Sequence, residues 1–251
     1  PAYDQLSAHF TRLHHYAHLG SIVSWDRAAN MPPKGNDARA SAMAELAALM
    51  HRLRTEPTLG DRIERAGQEP LTDLQRANLR EIRREWLQAT ALPESLVTRQ
   101  ELASARCEHA WRTQRPANDW AGFLGNWKPV VALAREEAAL LSQRTGLSKY
   151  DAMMDRFEPG MRGEQVSRVF GAVRQWLPGL IDRVVERQRN ETLIQARGPF
   201  PVPAQQALCQ SVVTMLGFDF NAGRLDTSTH PFSGGVPEDV RMTTRYREDE
   251  F

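Results

Sequence analysis

The sequence predicts an all-α, mainly helical chain with a short β-strand segment near its C-terminal end. Three observations carry that reading. Apolar residues recur at spacings of three and four through roughly the first 220 positions, between Pro and Gly interruptions. A content of 41% hydrophobic and 25% charged residues over 251 positions is that of a globular chain with a sizeable core, not of a disordered one. Finally, Asp239–Tyr246 switches to a period of two, a strand signal.

In chain order, Leu6, Phe10, Leu13, Ala17, Ile22 and Trp25 mark a helix over Tyr3–Ala29, which Met31-Pro32-Pro33-Lys34-Gly35 stops. A second helix runs from about Asp37, read as its N-cap, to Arg54, with Met43, Leu46, Ala47, Met50 and Leu53 as its apolar stripe. Short helices follow at Pro57–Ala66 and Thr72–Thr90. The second opens on Thr72 and Gln75, a capping-box pair. Leu92-Pro93-Glu94 separates it from a helix reaching about Arg112. Asn118-Asp119 caps a helix to Thr145, kinked at Pro129 and closed by Gly146. A helix over Glu164–Gln195 is expected to bend or break at Pro178-Gly179, and a last one covers Gln205–Leu216 after the Gly198–Pro203 turn. Trp25, Trp86 and Trp176 fall in apolar helical patterns and read as core.

Alternation over Asp239–Tyr246 puts Val240, Met242, Thr244 and Tyr246 on one face and Asp239, Arg241, Thr243 and Arg245 on the other. The first face suits packing. The second suits an anion or a peptide, because Arg offers a planar donor fork to carboxylates; the alternative is an edge strand protected by charge.

Charge and cysteine content narrow the function classes. Lys+Arg and Asp+Glu nearly balance, at 32 and 31, so nothing in the charge favours nucleic acid or an anionic membrane. Cys107 and Cys209 form neither a CxxC nor a disulfide framework, which fits a reducing, cytoplasmic setting. No apolar run approaches the ~20 residues of a spanning helix. His14 and His18 share a helix face, yet they have no acid between them and no third ligand, so no metal ligand is assigned. Nucleophile motifs are absent, and Glu136-Glu137 and Asp249-Glu250 read as solvated charge.

Three stretches carry a resemblance. Ser24-Trp25-Asp26-Arg27-Ala28-Ala29-Asn30-Met31-Pro32 with Ala38-Arg39-Ala40 is similar to the N-terminal signature of the carboxypeptidase Taq family of zinc metallocarboxypeptidases. Tyr150–Met161 is similar to that family's central helix-to-turn motif. His230-Pro231-Phe232, after Leu225-Asp226, and Asp239–Tyr246 resemble its HPF and DxRxT motifs, in the family's order.

The resemblance implies a mainly helical, gluzincin-type enzyme that removes C-terminal residues from peptides with a water bound to zinc or cobalt, usually as a homodimer. It implies His230 as a catalytic group and Asp239, Arg241 and Thr243 as substrate-binding residues. It also implies a helical scaffold over residues 1–220, then a cleft-lining loop and edge strand over 221–251. The family's HExxH helix would begin just past Phe251. The chain alone is therefore expected to bind no metal, to be inactive, and to leave uncovered the apolar helix faces that pack on the other half. The alternative is a non-enzymatic helical scaffold for peptide binding or association.

Overall fold

The structure, a computed structural model, describes residues 1–192 and 196–250. Among these, nine α-helices precede a three-stranded sheet. The helices are α1 (Ala2–Ala29), α2 (Asn36–Arg54), α3 (Leu59–Ala66), α4 (Asp73–Thr90), α5 (Glu94–Gln114), α6 (Trp120–Thr145), α7 (Lys149–Met154), α8 (Gly163–Gln188) and α9 (Val202–Met215). The strands are β1 (Gly223–Thr227), β2 (Ser233–Val236) and β3 (Asp239–Thr244), in the order β1-β3-β2.

Where the controlling interaction is local, sequence and structure agree. The Thr72 hydroxyl accepts from Gln75 N–H while the Gln75 side chain accepts from Thr72 N–H, completing the capping box. Asp119 caps α6 by accepting from Gly122 N–H at 2.9 Å, and Gly146 ends the helix at φ 73°. Asp37 is different: a 3₁₀ turn over Pro33–Gly35 runs straight into α2, which starts at Asn36. Asp37 thus sits in the first turn, where its charge faces free backbone amides, and does not cap.

The core begins where α1 lies against α3 and α4. Leu6, Leu59 and Ile63 are fully buried with Tyr3, Leu79 and Ile82, and the Tyr3 hydroxyl accepts from Asn78 at 2.9 Å. In α2 the buried line is Ala40, Ala44, Ala48 and His51, at successive helical turns, while Met43, Leu46 and Met50 flank it half-buried. Helix α2 packs chiefly along α5, and the residues it buries are mostly small, so side-chain size as well as hydrophobicity decides which face of α2 is covered. Burial also lowers the pKa of His51.

Several expectations about the remaining elements change. Helix α8 runs on through Pro178 without a break, and α6 spans Pro129 as the single helix expected, because a proline removes only one helical hydrogen bond and the neighbouring turns hold the ladder. Helix α8 ends at Gln188; the expected end at Gln195 lies outside the described residues. Helix α9 starts at Val202, with Pro203 in its first turn, where a missing N–H is harmless. Trp176 is not core: it is exposed on α8, with Phe170 and Ile181, and neither α8 nor α9 has a buried residue. These are apolar faces left uncovered.

A further change concerns the strand. β3 is the centre of the sheet, not its edge, because Gly223–Thr227 pairs with it in parallel and Ser233–Val236 antiparallel. Gly235 makes the tight β2–β3 return possible: its φ is +98°, and a Cβ there would lie 2.2 Å from the Asp239 carbonyl oxygen.

Packing explains the Tyr150–Met161 stretch. Asp151 accepts from Gly163 N–H at 2.7 Å and from the Ser148 hydroxyl, contacts that lower its pKa. Asp155 is partly buried, which would raise its pKa. Its bonds to Gly160 N–H at 3.0 Å and Arg162 at 3.1 Å outweigh burial and hold the pKa below the ordinary value. A lowered folded-state pKa stabilises the fold above the unfolded pKa of ~3.9 and loses that contribution as pH falls through the folded value. The Asp155→Asn variant is expected to show a shallower loss of stability below about pH 4. Urea midpoints across pH 2–6 check this, and equal slopes for both proteins would contradict it.

Candidate functional site

The sheet is fastened to the helices by Trp25, near the end of α1. Arg224 on β1 stands in register with Arg241 on β3, so both guanidiniums rise on one face. They lie over the buried Trp25 ring at 4.9 and 4.8 Å from its centroid. The Arg241 contact, shielded from water, is the stronger of the two, at about 2 kcal/mol, while the exposed Arg224 contributes about 0.5–1 kcal/mol.

Each guanidinium also has a carboxylate. Arg224 donates to both oxygens of Asp226 at 2.8 and 2.7 Å, and Arg241 lies 2.5 Å from Asp239. The other Asp239 oxygen is 3.2 Å from His18 Nε2 on α1. Trp25 Nε1, Arg241 Nε and His18 Nδ1 are buried and find no hydrogen-bond partner among the described residues. Stacking and ion pairing therefore hold this seam, with few neutral hydrogen bonds.

One step along β3, Thr243 is buried, and its hydroxyl organises the turn that carries His230. Thr243 Oγ1 accepts from Phe232 N–H at 3.0 Å, and Ser228 Oγ lies 2.8 Å from both Thr243 Oγ1 and the His230 carbonyl oxygen. Two backbone bonds extend the ladder: Thr243 N–H donates to the Phe232 carbonyl at 2.8 Å and Ser228 N–H to the Thr244 carbonyl at 3.0 Å. The turn is held at both ends, while His230 at its tip stays exposed.

His230 stands at the mouth of a cleft of about 480 Å³ between α1, α5, α6 and this turn. Its ring meets Trp111 edge-on, 6.3 Å between centroids and 85° between planes. Phe123 and Trp127, stacked at 5.8 Å, form the opposite apolar wall. The cleft's guanidiniums are already engaged. Arg112 donates to Glu108 at 2.8 and 3.1 Å and to the Arg27 carbonyl at 2.9 Å, and Arg27 lies 3.8 Å from Glu101. Cys107 also lines the cleft. Burial raises its pKa, and Glu108 adds to the effect, so it is a neutral thiol at neutral pH and no nucleophile.

Of the residues singled out from the sequence, His230 and Thr243 are joined through the 228–232 turn. Asp239 and Arg241 line a second, polar hollow of about 380 Å³ with Arg224 and Asp226. The Thr243 hydroxyl is used inside the fold, facing the turn, and is not displayed to solvent. His14 is exposed while His18 turns to Asp239, and among the described residues no three His, Cys, Asp or Glu side chains are grouped to hold a metal ion. These residues do not fit a metal centre. The aromatic cleft escaped the sequence reading, although Trp120, Phe123 and Trp127 at spacings of three and four on α6 mark an aromatic stripe.

The other resembling stretch is structural as well. Arg39 on α2 donates to Asp26 at 2.7 Å and to the Val23 carbonyl at 3.3 Å, tying α2 to the turn of α1 that presents Trp25.

Comparisons with known proteins agree with this geometry. The profile of the family Carboxypeptidase Taq (M32) metallopeptidase matches residues 5–251. The chain is 37% identical to thermostable carboxypeptidase 1 of Thermus thermophilus over 100% of its own length and 51% of that protein's. It is 28% identical to thermostable carboxypeptidase 1 of Pyrococcus furiosus, covering 98% of this chain and 50% of that protein. Among solved structures, Trypanosoma cruzi metallocarboxypeptidase 1 superposes with a TM-score of 0.84 at 44% identity, over 100% of this chain and 51% of that one. The chain thus spans about half the length of the curated relatives it matches. With motifs, fold and profile in agreement along its length, the chain belongs to the carboxypeptidase Taq family of metallopeptidases.

Proposed function

We propose that this chain is the N-terminal portion of a metal-dependent carboxypeptidase, which releases C-terminal residues from peptides by a metal-activated water. The zinc or cobalt of that enzyme is held by groups outside this chain, which on its own is inactive. The observation that carries the reading is His230, presented at the mouth of an aromatic cleft by a turn pinned to β3, in a member of a metallopeptidase family.

In this reading residues 1–220 are the scaffold and the segment from 221 onward lines the cleft. His230 faces the reacting peptide. Asp239 and Arg241 position substrate from the polar hollow, and Thr243 acts by holding the His230 turn in place. The parent enzyme works as a cytoplasmic homodimer on peptides, with no part for nucleic acid or membrane; no helix among the described residues is long and apolar enough to cross a membrane.

Two outcomes are expected. The purified chain, supplied with zinc or cobalt, releases no C-terminal residues from a panel of peptides followed by chromatography. Release that depends on added metal and stops with a chelator would contradict the reading.

Thr243→Val keeps the shape but leaves the part-buried Phe232 N–H without its acceptor, a loss of about 1 kcal/mol. Its His230 imidazole resonances are expected to shift and broaden and its urea midpoint to fall, with Thr243→Ser close to wild type. Unchanged His230 resonances in Thr243→Val would show that the hydroxyl does not position the turn.

A further inference from the structure

The cleft beside His230 is apolar in its walls and electrically closed in its charges, and together these properties select an occupant. Trp111, Phe123 and Trp127 supply aromatic surface on two sides, and a volume of about 480 Å³ accommodates a large side chain together with part of a backbone.

A terminal carboxylate would need a free cation, preferably an Arg fork. Both guanidiniums lining the cleft already face carboxylates: all three Arg112 nitrogens are hydrogen-bonded, to Glu108 and to the Arg27 carbonyl, and Arg27 lies 3.8 Å from Glu101, an ion pair without a hydrogen bond. A free carboxylate brought into the cleft would lose water and meet only cations whose charge Glu108 and Glu101 already offset. An uncharged apolar side chain loses nothing comparable and gains the aromatic surface.

We propose that this cleft is a specificity subsite for an aromatic or large aliphatic residue within the peptide, on the amino-terminal side of the bond that is cut. The inference rests on the peptidase reading, because it is His230 at the cleft mouth that places the subsite next to the reacting bond. Trp127, 42% exposed and stacked on Phe123, is the wall with the most free surface and is the principal specificity determinant.

Three small probes test this on the chain as it stands, by ligand-detected NMR titration: N-acetylphenylalanine amide, N-acetylphenylalanine with its free carboxylate, and N-acetylglycine amide. The phenylalanine amide is expected to bind saturably, at least about tenfold tighter than the glycine amide, with the free acid no tighter than the amide. Trp127→Ala should weaken the phenylalanine amide by about tenfold or more. Phe123→Leu, a milder change, should weaken it in the same direction, and it decides alone if Trp127→Ala fails to fold.

Tighter binding of the free acid than of the amide would overturn the inference and make the cleft a terminal-carboxylate pocket. So would absence of saturable binding by the phenylalanine amide, or unchanged binding in folded variants, as when the cleft belongs to contacts with another part of the enzyme. None of the probes has to be hydrolysed. A negative result therefore removes the subsite and leaves the peptidase reading to its own assay.

Discussion

The stacking of Arg224 and Arg241 over Trp25 is the constraint on which the site depends. A three-stranded sheet whose strands are only four to six residues long buries little apolar surface of its own, and such sheets need an outside partner to be stable. Here the partner is one indole ring on the longest helix, gripped by two side chains that parallel pairing sets side by side. Arg39 and Asp26 then fix that end of α1 to α2, so the ring is held from both directions. Position passes from the helical scaffold to the sheet through this contact, and from the sheet to His230 through Thr243.

The arrangement separates two tasks. The charges on β1 and β3 are used close to home, each guanidinium with a carboxylate two residues along its own strand, and Asp239 also reaches His18 on α1. The cleft next to them is left apolar. With its own ion pairs closed, it discriminates by shape and by aromatic surface. The same principle operates on the outer faces of α8 and α9. Their exposed Phe170, Trp176, Ile181 and Met215 form a pattern that periodicity identifies as helical but that nothing within the described residues covers.

How much could be read from the sequence follows from how far each interaction reaches. The Thr72–Gln75 box, the Asp119 cap and the Gly146 stop involve neighbours within a turn, and each is legible in the residue string. The strands β1 and β2 were not, because Gly-rich Ser233–Val236 has no alternation and acquires its structure only by pairing with β3. Alternation separated the two faces of β3 but not their surroundings: the polar face lies partly against Trp25 and His18, while Asp239 and Arg241 also line the polar hollow. The Ala40–Ala44–Ala48 seam was hidden for another reason, since a hydrophobic scale favours the larger Met43 and Leu46 where close approach requires the smaller residues. His230 and Thr243 were reached through motif resemblance. Their connection is a set of hydrogen bonds spanning residues 228 to 244, which no local pattern encodes.

The central claim is that Trp25 transmits the order of the helical scaffold to the sheet and the His230 turn. Hydrogen exchange followed by mass spectrometry on Trp25→Ala tests it directly. The predicted result is a marked loss of amide protection over residues 223–244, including the Phe232 and Thr243 amides, with α3 and α4 around Leu59 and Ile63 protected as in the wild type. Unchanged protection over 223–244 in the folded variant would contradict the account, because the sheet would then be held by something other than the two guanidiniums on that ring.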